Sequence, residues 1–247
     1  MAPFLFAACL VSGNAEAQMQ LSAPVMELEV GPTWQTRNDV RIPNDNPGTR
    51  FALDDISGTG PWLGARLNLL WDFRDRHGVR FLYAPLSYEE TGIAERNVDF
   101  AGESFVDGQA LQSRYQFDSW RLSYRYKLLE NDSFGLWLGA TLKIRDAEIA
   151  LRQGNRFAKD DDLGFVPIAY LAARYRLGER WYVNAEMDAL AGGPGRAIDL
   201  GLRLDYQAGP RWTIGAGFRT LEGGADTDEV YNFAWFNSVV LATRISF

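Results

Sequence analysis

Hydrophobic and polar residues alternate with a period of two along most of the chain. Between Trp62 and Phe73, apolar side chains occupy every second position, and Arg66 is one of the polar residues between them. From Trp120 to Leu128 the alternation is complete over nine residues, with Arg, Ser or Lys at every intervening position. Successive side chains of a strand point to opposite faces, so both segments are predicted to be strands with one apolar and one polar face.

The same pattern predicts an all-β chain of about ten strands. A helix would distribute these charges around its whole circumference, which argues against a helical reading. The predicted strands lie near residues 24–37, 61–73, 79–89, 113–128, 134–151, 164–177, 181–190, 197–207, 211–221 and 229–247.

The connections between the predicted strands are of two alternating kinds. Short turns are expected at residues 74–78, 129–133, 178–180 and 208–210. Longer segments rich in Asp, Gly and Asn are expected near residues 38–60, 90–112, 152–163, 191–196 and 222–228. An even strand number with short turns at one end and longer loops at the other is typical of a closed, antiparallel, up-and-down transmembrane β-barrel.

Aromatic residues are concentrated beside the short turns, in the apolar phase of the alternation. Transmembrane barrels carry Trp, Tyr and Phe on their lipid face at the level of the headgroups, so we expect an aromatic belt at this end. Its predicted members are Trp71, Phe73, Tyr126, Phe134, Tyr175, Trp181, Tyr206, Trp212 and Phe247. A less regular belt at the opposite end is predicted from Trp34, Phe165, Phe233 and Trp235.

The stretch from Val239 to Phe247 alternates apolar and polar residues and ends in Phe. It resembles the last strand of bacterial outer-membrane β-barrel proteins. The resemblance implies a barrel over residues 24–247 in the bacterial cell outer membrane, with short periplasmic turns and longer extracellular loops. It also implies contact with outer-membrane lipid and lipopolysaccharide, and recognition of Phe247 by the barrel-assembly machinery.

Alternation alone leaves a second architecture open. A soluble lipocalin-like barrel has the same pattern with its apolar face turned inward around a ligand. Side chains as large as Leu, Trp and Tyr from ten strands would overfill so narrow an interior. The apolar rows are therefore expected to face lipid.

The N-terminal segment has the layout of a secretory signal peptide. Residues 1–15 carry no charge, an apolar run extends from Phe4 to Val11, and Ala15-Glu16-Ala17 provides a small-x-small cleavage site. We predict a signal peptide at residues 1–17, a short periplasmic segment at 18–23 and the barrel at 24–247. Cys9 is interpreted as a signal-peptide cysteine, although the preceding residues faintly resemble a lipobox.

Charge and composition exclude several classes of function. The chain has 32 acidic and 25 basic residues, so no basic surface for nucleic acid is expected. One cysteine and one histidine, His77, exclude multi-cysteine metal sites and histidine pairs. Acidic clusters such as Asp160-Asp161-Asp162 do not match the EF-hand loop. No cofactor and no metal are predicted, and these loops are interpreted as solvated.

If the apolar face meets lipid, charges of both signs fill the lumen. A ten-stranded barrel is narrow, so these charges are expected to pair across it and leave a plugged or very narrow pore. Arg145, Asp188, Arg196, Asp199, Arg219 and Glu222 are expected to form a salt-bridged ring at the outer rim. The charged residues predicted to face the lumen are Arg66, Asp72, Arg121, Arg125, Lys127, Lys143, Arg145, Arg174, Glu186, Asp188, Asp199, Arg203, Asp205, Arg219 and Arg244. The candidate network of the lumen and rim is Arg66, Arg121, Arg125, Arg145, Asp188, Arg196, Asp199, Arg203, Arg219 and Glu222.

The sequence therefore predicts a non-enzymatic outer-membrane barrel with a largely filled lumen and a structural or loop-mediated binding role. A narrow channel for small polar or anionic solutes is the alternative, and an outer-membrane hydrolase is the third candidate. His77 lies in a predicted periplasmic turn, flanked by charges, which argues against histidine catalysis. Carboxylates such as Glu186 and Asp188 could do acid–base work, but Arg203 and Arg219 nearby favour ion pairing.

Overall fold

The computed structural model describes residues 23–193 and 195–247, so the predicted signal peptide lies outside the described residues. The only helix among them is α1 (Leu53–Ser57), and no helix there is long and apolar enough to cross a membrane. The strands are β1 (Val25–Arg41), β2 (Phe51–Ala52), β3 (Trp62–Phe73), β4 (His77–Ala84), β5 (Ser87–Ile93), β6 (Val98–Phe100), β7 (Glu103–Phe105), β8 (Ala110–Glu130), β9 (Phe134–Gln153), β10 (Arg156–Arg176), β11 (Trp181–Gly192), β12 (Gly195–Gln207), β13 (Trp212–Asp226) and β14 (Tyr231–Ser246).

The long strands form a closed antiparallel barrel with ten positions in its wall. Neighbours in the wall follow chain order, and β4 and β5 share one position because both pair with β8. The wall closes where β14 pairs with β1, in a register that runs from Val25 opposite Ser246 to Arg41 opposite Tyr231. The predicted ten-stranded up-and-down barrel is confirmed.

The two faces of the wall differ sharply in exposure. Leu63 and Leu241 point outward and are 79% and 62% exposed, whereas Arg80 and Arg121 point inward and are 0% and 1% exposed. An outward apolar band and a polar interior are the arrangement of a transmembrane barrel. The soluble, apolar-inside alternative is therefore wrong for this chain.

The termini of the barrel and the four predicted short turns lie at the same end, here called the periplasmic end. Trp181 and Tyr206 contact each other there with ring centroids 4.9 Å apart. Trp71, Trp212 and Phe247 are exposed on the outer surface at this end. The aromatic belt predicted beside the short turns is therefore present on the outer surface at this end.

Three of the predicted outer loops are largely strand. β9 and β10 stay paired up to Gln153 and Arg156, and only Gly154 and Asn155 form the turn. The predicted loops 191–196 and 222–228 are likewise mostly occupied by the ends of β11, β12 and β13. Beyond the membrane both faces of a hairpin meet water, so the polarity alternation disappears although the hydrogen-bonded ladder continues.

The two remaining loops fold into an apolar cap over one side of the outer end. Residues 38–60 contribute β2 and α1, and residues 90–112 contribute the hairpin of β6 and β7. Fully buried members of the cap's core are Val40, Leu53, Val98, Phe100, Phe105, Leu111 and Leu151. The two segments, which the sequence predicts as polar loops, also contain a buried apolar core, because apolar residues spread through both of them meet only after folding. The acidic residues Asp55, Glu89 and Glu90 are exposed, as predicted.

Gly139 provides a test of the tight approach between wall strands. A Cβ at this position would overlap the backbone carbonyl oxygen of Tyr124 on β8. We expect Gly139→Ala to lower the free energy of unfolding by about 1–3 kcal/mol, the usual cost of overpacking. Urea unfolding in lipid vesicles measures this, with Gly178→Ala as the control because a Cβ there meets nothing within 4 Å. Equal stability of the two variants would contradict the close approach.

Candidate functional site

A network of ion pairs, here called the plug, crosses the middle of the barrel. It joins six arginines to six carboxylates, each pair within 4.0 Å, so its formal charges cancel. All of these side chains occupy the inward phase of their strands. The members are Arg66, Arg80, Arg121, Arg203, Arg219 and Arg244 with Glu27, Glu29, Glu186, Asp188, Asp199 and Asp205.

Asp199 is the centre of the plug. Its Oδ2 atom lies 2.8 Å from Arg66 Nη1 and 2.7 Å from Arg121 Nη2. Its Oδ1 atom accepts a hydrogen bond of 2.7 Å from Arg219 Nη1. Three arginines from three strands thus converge on one buried carboxylate.

Asp188 is a second centre, and Arg121 connects it to Asp199. Asp188 Oδ2 accepts hydrogen bonds from Arg80 Nη2 at 2.6 Å and Arg121 Nη1 at 2.7 Å. The Thr141 hydroxyl donates to Asp188 Oδ1 at 3.0 Å. Charge-assisted hydrogen bonds of this length are the strong kind, and they fix the orientation of the guanidinium groups.

The periplasmic side of the plug is built around two glutamates of β1. Glu29 Oε2 accepts a hydrogen bond of 3.1 Å from Arg219 Nε. Glu27 Oε2 accepts a hydrogen bond of 2.6 Å from Arg203 Nη2 and lies 3.2 Å from Arg244 Nε. Glu27 and Glu29 therefore tie β1 to β12, β13 and β14 through the lumen, in addition to the wall's own ladder.

The plug separates two cavities of similar size. The outer cavity has a volume of about 490 Å³ and is lined by residues of β8 to β14, beside the apolar cap. The periplasmic vestibule has a volume of about 480 Å³ and reaches the plug at Arg203 and Arg219. A smaller space of about 50 Å³ lies against Arg66 and Arg121.

The ten network residues expected from the sequence fall into three groups. Arg66, Arg121, Asp188, Asp199, Arg203 and Arg219 belong to the plug. Arg125 pairs with Asp72 on the periplasmic side of the plug. Arg145 pairs with Asp162, and Arg196 pairs with Glu222, at the outer rim.

The expected rim ring of six residues is corrected, because Asp188, Asp199 and Arg219 lie in the middle of the barrel. The cause is the length of the β11–β12 hairpin. Three residue pairs lie between the facing aspartates, Asp188 and Asp199, and the last pair of the ladder, Gly192 with Gly195. At about 3.4 Å per residue, this extension moves the aspartates well below the rim.

Sequence reasoning missed three members of the plug. Glu27 and Glu29 alternate with Leu28 and Val30 at the start of β1, and Arg80 lies between Val79 and Phe81. The period-two signal was therefore present at all three positions. Each of the three is a charged residue at an inward position of a predicted strand, so the alternation could have identified it.

His77 and the carboxylates of the outer loops lie at opposite ends of the barrel. His77 is the first residue of β4 at the periplasmic end, where its Nδ1 atom is hydrogen-bonded to the Tyr124 hydroxyl at 2.7 Å. No cluster of three or more His, Cys, Asp or Glu side chains suited to a metal ion occurs among the described residues.

Comparisons with known proteins identify the fold. No family model matches the chain, and no curated protein matches its sequence. The outer-membrane protease OmpT from Escherichia coli superposes with a TM-score of 0.60 at 10% identity, over 93% of this chain and 98% of OmpT. The fold is that of bacterial outer-membrane β-barrel proteins.

Two further solved structures are similar at lower scores. The beta domain of the Bordetella autotransporter BrkA has a TM-score of 0.49 and 12% identity, and 92% of this chain and 99% of that chain are covered. Neisserial surface protein A has a TM-score of 0.37 and 12% identity, with the same coverage of 92% and 99%.

Removing one charge from the centre of the plug tests its contribution to stability. Asp199→Asn leaves three buried arginines short of a counter-charge, and breaking a buried ion pair costs about 3–5 kcal/mol. We expect a loss of that size in the free energy of unfolding, measured with urea in lipid vesicles. The matched control is Glu222→Gln at the partly exposed pair with Arg196, where about 1 kcal/mol or less is expected. Similar losses in both variants would contradict the plug's special role.

Asp160 tests the electrostatics of the projecting β9–β10 hairpin, outside the membrane-spanning part of the strands. Burial, together with Asp161, Asp162 and Glu229, raises the pKa of the Asp160 carboxyl. Ionisation of Asp160 therefore opposes folding, and its destabilising effect grows as the pH rises from the unfolded pKa through the folded pKa. We expect Asp160→Asn to be more stable than the wild type at neutral pH.

The gain should disappear below the ordinary aspartate pKa of about 3.9, where Asp160 is protonated in both states. Urea midpoints at the two pH values measure the difference. Asp132→Asn, at an exposed aspartate of a periplasmic turn, is the control and should change neither midpoint. A gain in Asp160→Asn that is the same at both pH values would refute the electrostatic cause.

Proposed function

We propose that this protein is a non-enzymatic integral protein of the bacterial outer membrane, with a lumen closed by the plug and outer loops that form a structural or binding surface. The outward apolar rows and the likeness of fold to OmpT support the location. In this proposal outer-membrane lipid and lipopolysaccharide surround the wall, and the exposed Phe247 is the residue that the barrel-assembly machinery recognises. Nucleic acid and cofactors have no role in it.

The closed lumen is proposed because ion pairs join strands on nearly opposite sides of the barrel. Arg66 on β3 reaches Asp199 on β12, and Arg80 on β4 reaches Asp188 on β11. In a wall of ten positions, each pair joins strands four positions apart, almost opposite one another. Side chains that meet in this way occupy the centre of the lumen, where a solute would have to pass.

The proposal that the protein is not an enzyme is supported by the hydrogen bonds of the lumenal carboxylates. Asp188 and Asp199 each accept hydrogen bonds from two or more donors, arginines among them, which favours the ionised form that has no proton to give. An ionised carboxylate can still act as a general base or nucleophile, but oxygens that already accept hydrogen bonds from arginines are not free to take a proton from a substrate or to attack it. His77 lies at the periplasmic end, away from both aspartates.

Planar-bilayer recordings test the closed lumen. We expect no steady ohmic current from the purified wild-type protein. Replacing Arg80 and Arg121 together by Ser removes two guanidinium groups from the centre and leaves Asp188 and Asp199 in place. We expect this double variant to conduct with a preference for cations, because the remaining charge of the constriction is negative.

Arg114→Ser is the matched control, since Arg114 lies on β8 but outside the lumen, half-exposed beside Glu89 and Glu148. It should remain silent like the wild type. Steady currents from the wild type would instead support the narrow-channel candidate. Turnover of lipid, ester or peptide substrates that is lost in Asp188→Asn would support a hydrolase.

A further inference from the structure

The outer cavity has a buried cation near its floor that no described carboxylate pairs with. Lys143 lies on the inward row of β9 and is 3% exposed. Its ammonium nitrogen lies 4.6 Å from the centroid of the Phe117 ring. Within the described residues, neither an ion pair nor a hydrogen bond satisfies the Lys143 side chain. A buried lysine in this state either loses its proton or needs a counter-charge from elsewhere, so an anion that enters the cavity would stabilise its ammonium form.

The plug does not supply it. Arg121 is the cross-strand neighbour of Lys143, and it binds both Asp188 and Asp199. Those aspartates are further occupied by Arg66, Arg80 and Arg219. The negative charges below Lys143 are thus already matched by arginines, whereas Lys143 itself lines the outer cavity.

A second unsatisfied donor lies on the same wall. Arg145 is the next inward residue of β9, and its Nη2 atom is hydrogen-bonded to Asp162. Its Nε atom is buried and has no hydrogen-bond partner. Lys143 and Arg145 thus both leave donors unused beside one cavity.

The rest of the cavity is suited to a small molecule with an apolar body. Its volume of about 490 Å³ is within the range of small-molecule sites. Phe117, Val166, Leu221 and Phe236 contribute apolar side chains to its lining.

Four of the six acids that line it have partners of their own, whereas Asp160 and Glu229 form no ion pair with the described residues. Asp162 pairs with Arg145, Glu222 with Arg196, Asp161 with Lys159, and Glu148 with Arg114 and Lys159. These pairs reduce the repulsion that an entering anion would meet before it reaches Lys143.

We propose that the outer cavity binds a small amphipathic organic anion, a carboxylate or a phosphate monoester, whose anionic group contacts the Lys143 ammonium while its apolar part lies against Phe117 and its neighbours. The inference deepens the binding role in the proposed function and rests on the outward-facing cavity, which does not require a closed lumen.

Calorimetric titration of the purified full-length protein, in a detergent with uncharged micelles, tests the site. The probes are 3-phenylpropionate, phenyl phosphate and the neutral 3-phenylpropionamide. We expect saturable binding of at least one anion and much weaker binding of the amide, and the stronger anion identifies the class. Lys143→Met should weaken binding of that anion about ten- to hundred-fold, as expected for loss of a charge-assisted hydrogen bond. Lys143→Arg should retain most of the affinity.

Lys127→Met is the matched control, because Lys127 pairs with Glu130 at the periplasmic end and should not affect binding. A second measurement needs no variant, since the chain contains only the lysines Lys127, Lys143 and Lys159. Reductive methylation followed by mass spectrometry reports on each lysine of the wild-type protein. The bound anion should protect Lys143 from methylation and leave Lys127 and Lys159 unchanged.

Several outcomes would overturn the inference. They are the absence of saturable binding by either anion, equal binding of the amide, unchanged affinity in Lys143→Met, and methylation of Lys143 that the anion does not slow. If Lys143→Met fails to fold, the methylation experiment decides. An ohmic current from the wild type would refute the closed lumen without altering any of these results, so the two proposals fail separately.

Discussion

Arginine and carboxylate side chains that meet across the lumen are the interaction on which the rest of the structure depends. Turning the apolar rows toward lipid leaves the polar rows facing one another inside a narrow tube, where an unpaired charge is strongly unfavourable. Arg121 satisfies this constraint by binding Asp188 and Asp199 at once. The network across the middle of the barrel and the two cavities on either side of it both follow from that pairing.

Much of the fold could be predicted from the sequence, because a period of two reports directly which face of a strand a residue occupies. It placed Arg66 and Arg121 in the lumen and Leu63 and Leu122 on the outer surface. The prediction from alternation failed in the parts of the strands that extend beyond the membrane, where lipid does not require one face to be apolar. Residues 152–163, which form most of the projecting end of the β9–β10 ladder, were therefore predicted as a loop, and the apolar residues of the cap were treated as isolated exceptions in polar segments.

The candidate site was less accessible for a different reason. Alternation gives the face of a residue but not its depth, and depth depends on the length of each hairpin and the stagger of every strand around the barrel. Asp188 and Arg196 both lie near one predicted turn, yet the structure assigns Asp188 to the plug and Arg196 to the rim. Whether Lys143 has an ion-pair partner depends on side chains from several strands. It could not be predicted from the residues around Lys143 in the sequence.

The near-opposite pairing of Arg66 with Asp199 and of Arg80 with Asp188 also has a mechanical consequence. The wall of a β-barrel can flatten into an elliptical cross-section while every strand stays hydrogen-bonded to its neighbours. Ion pairs that cross the lumen oppose this deformation, since flattening would lengthen some of them and compress others. The cross-section of this barrel therefore resists changes in lateral pressure from the surrounding bilayer. The outer cavity, which lies above the plug, keeps its dimensions for the same reason.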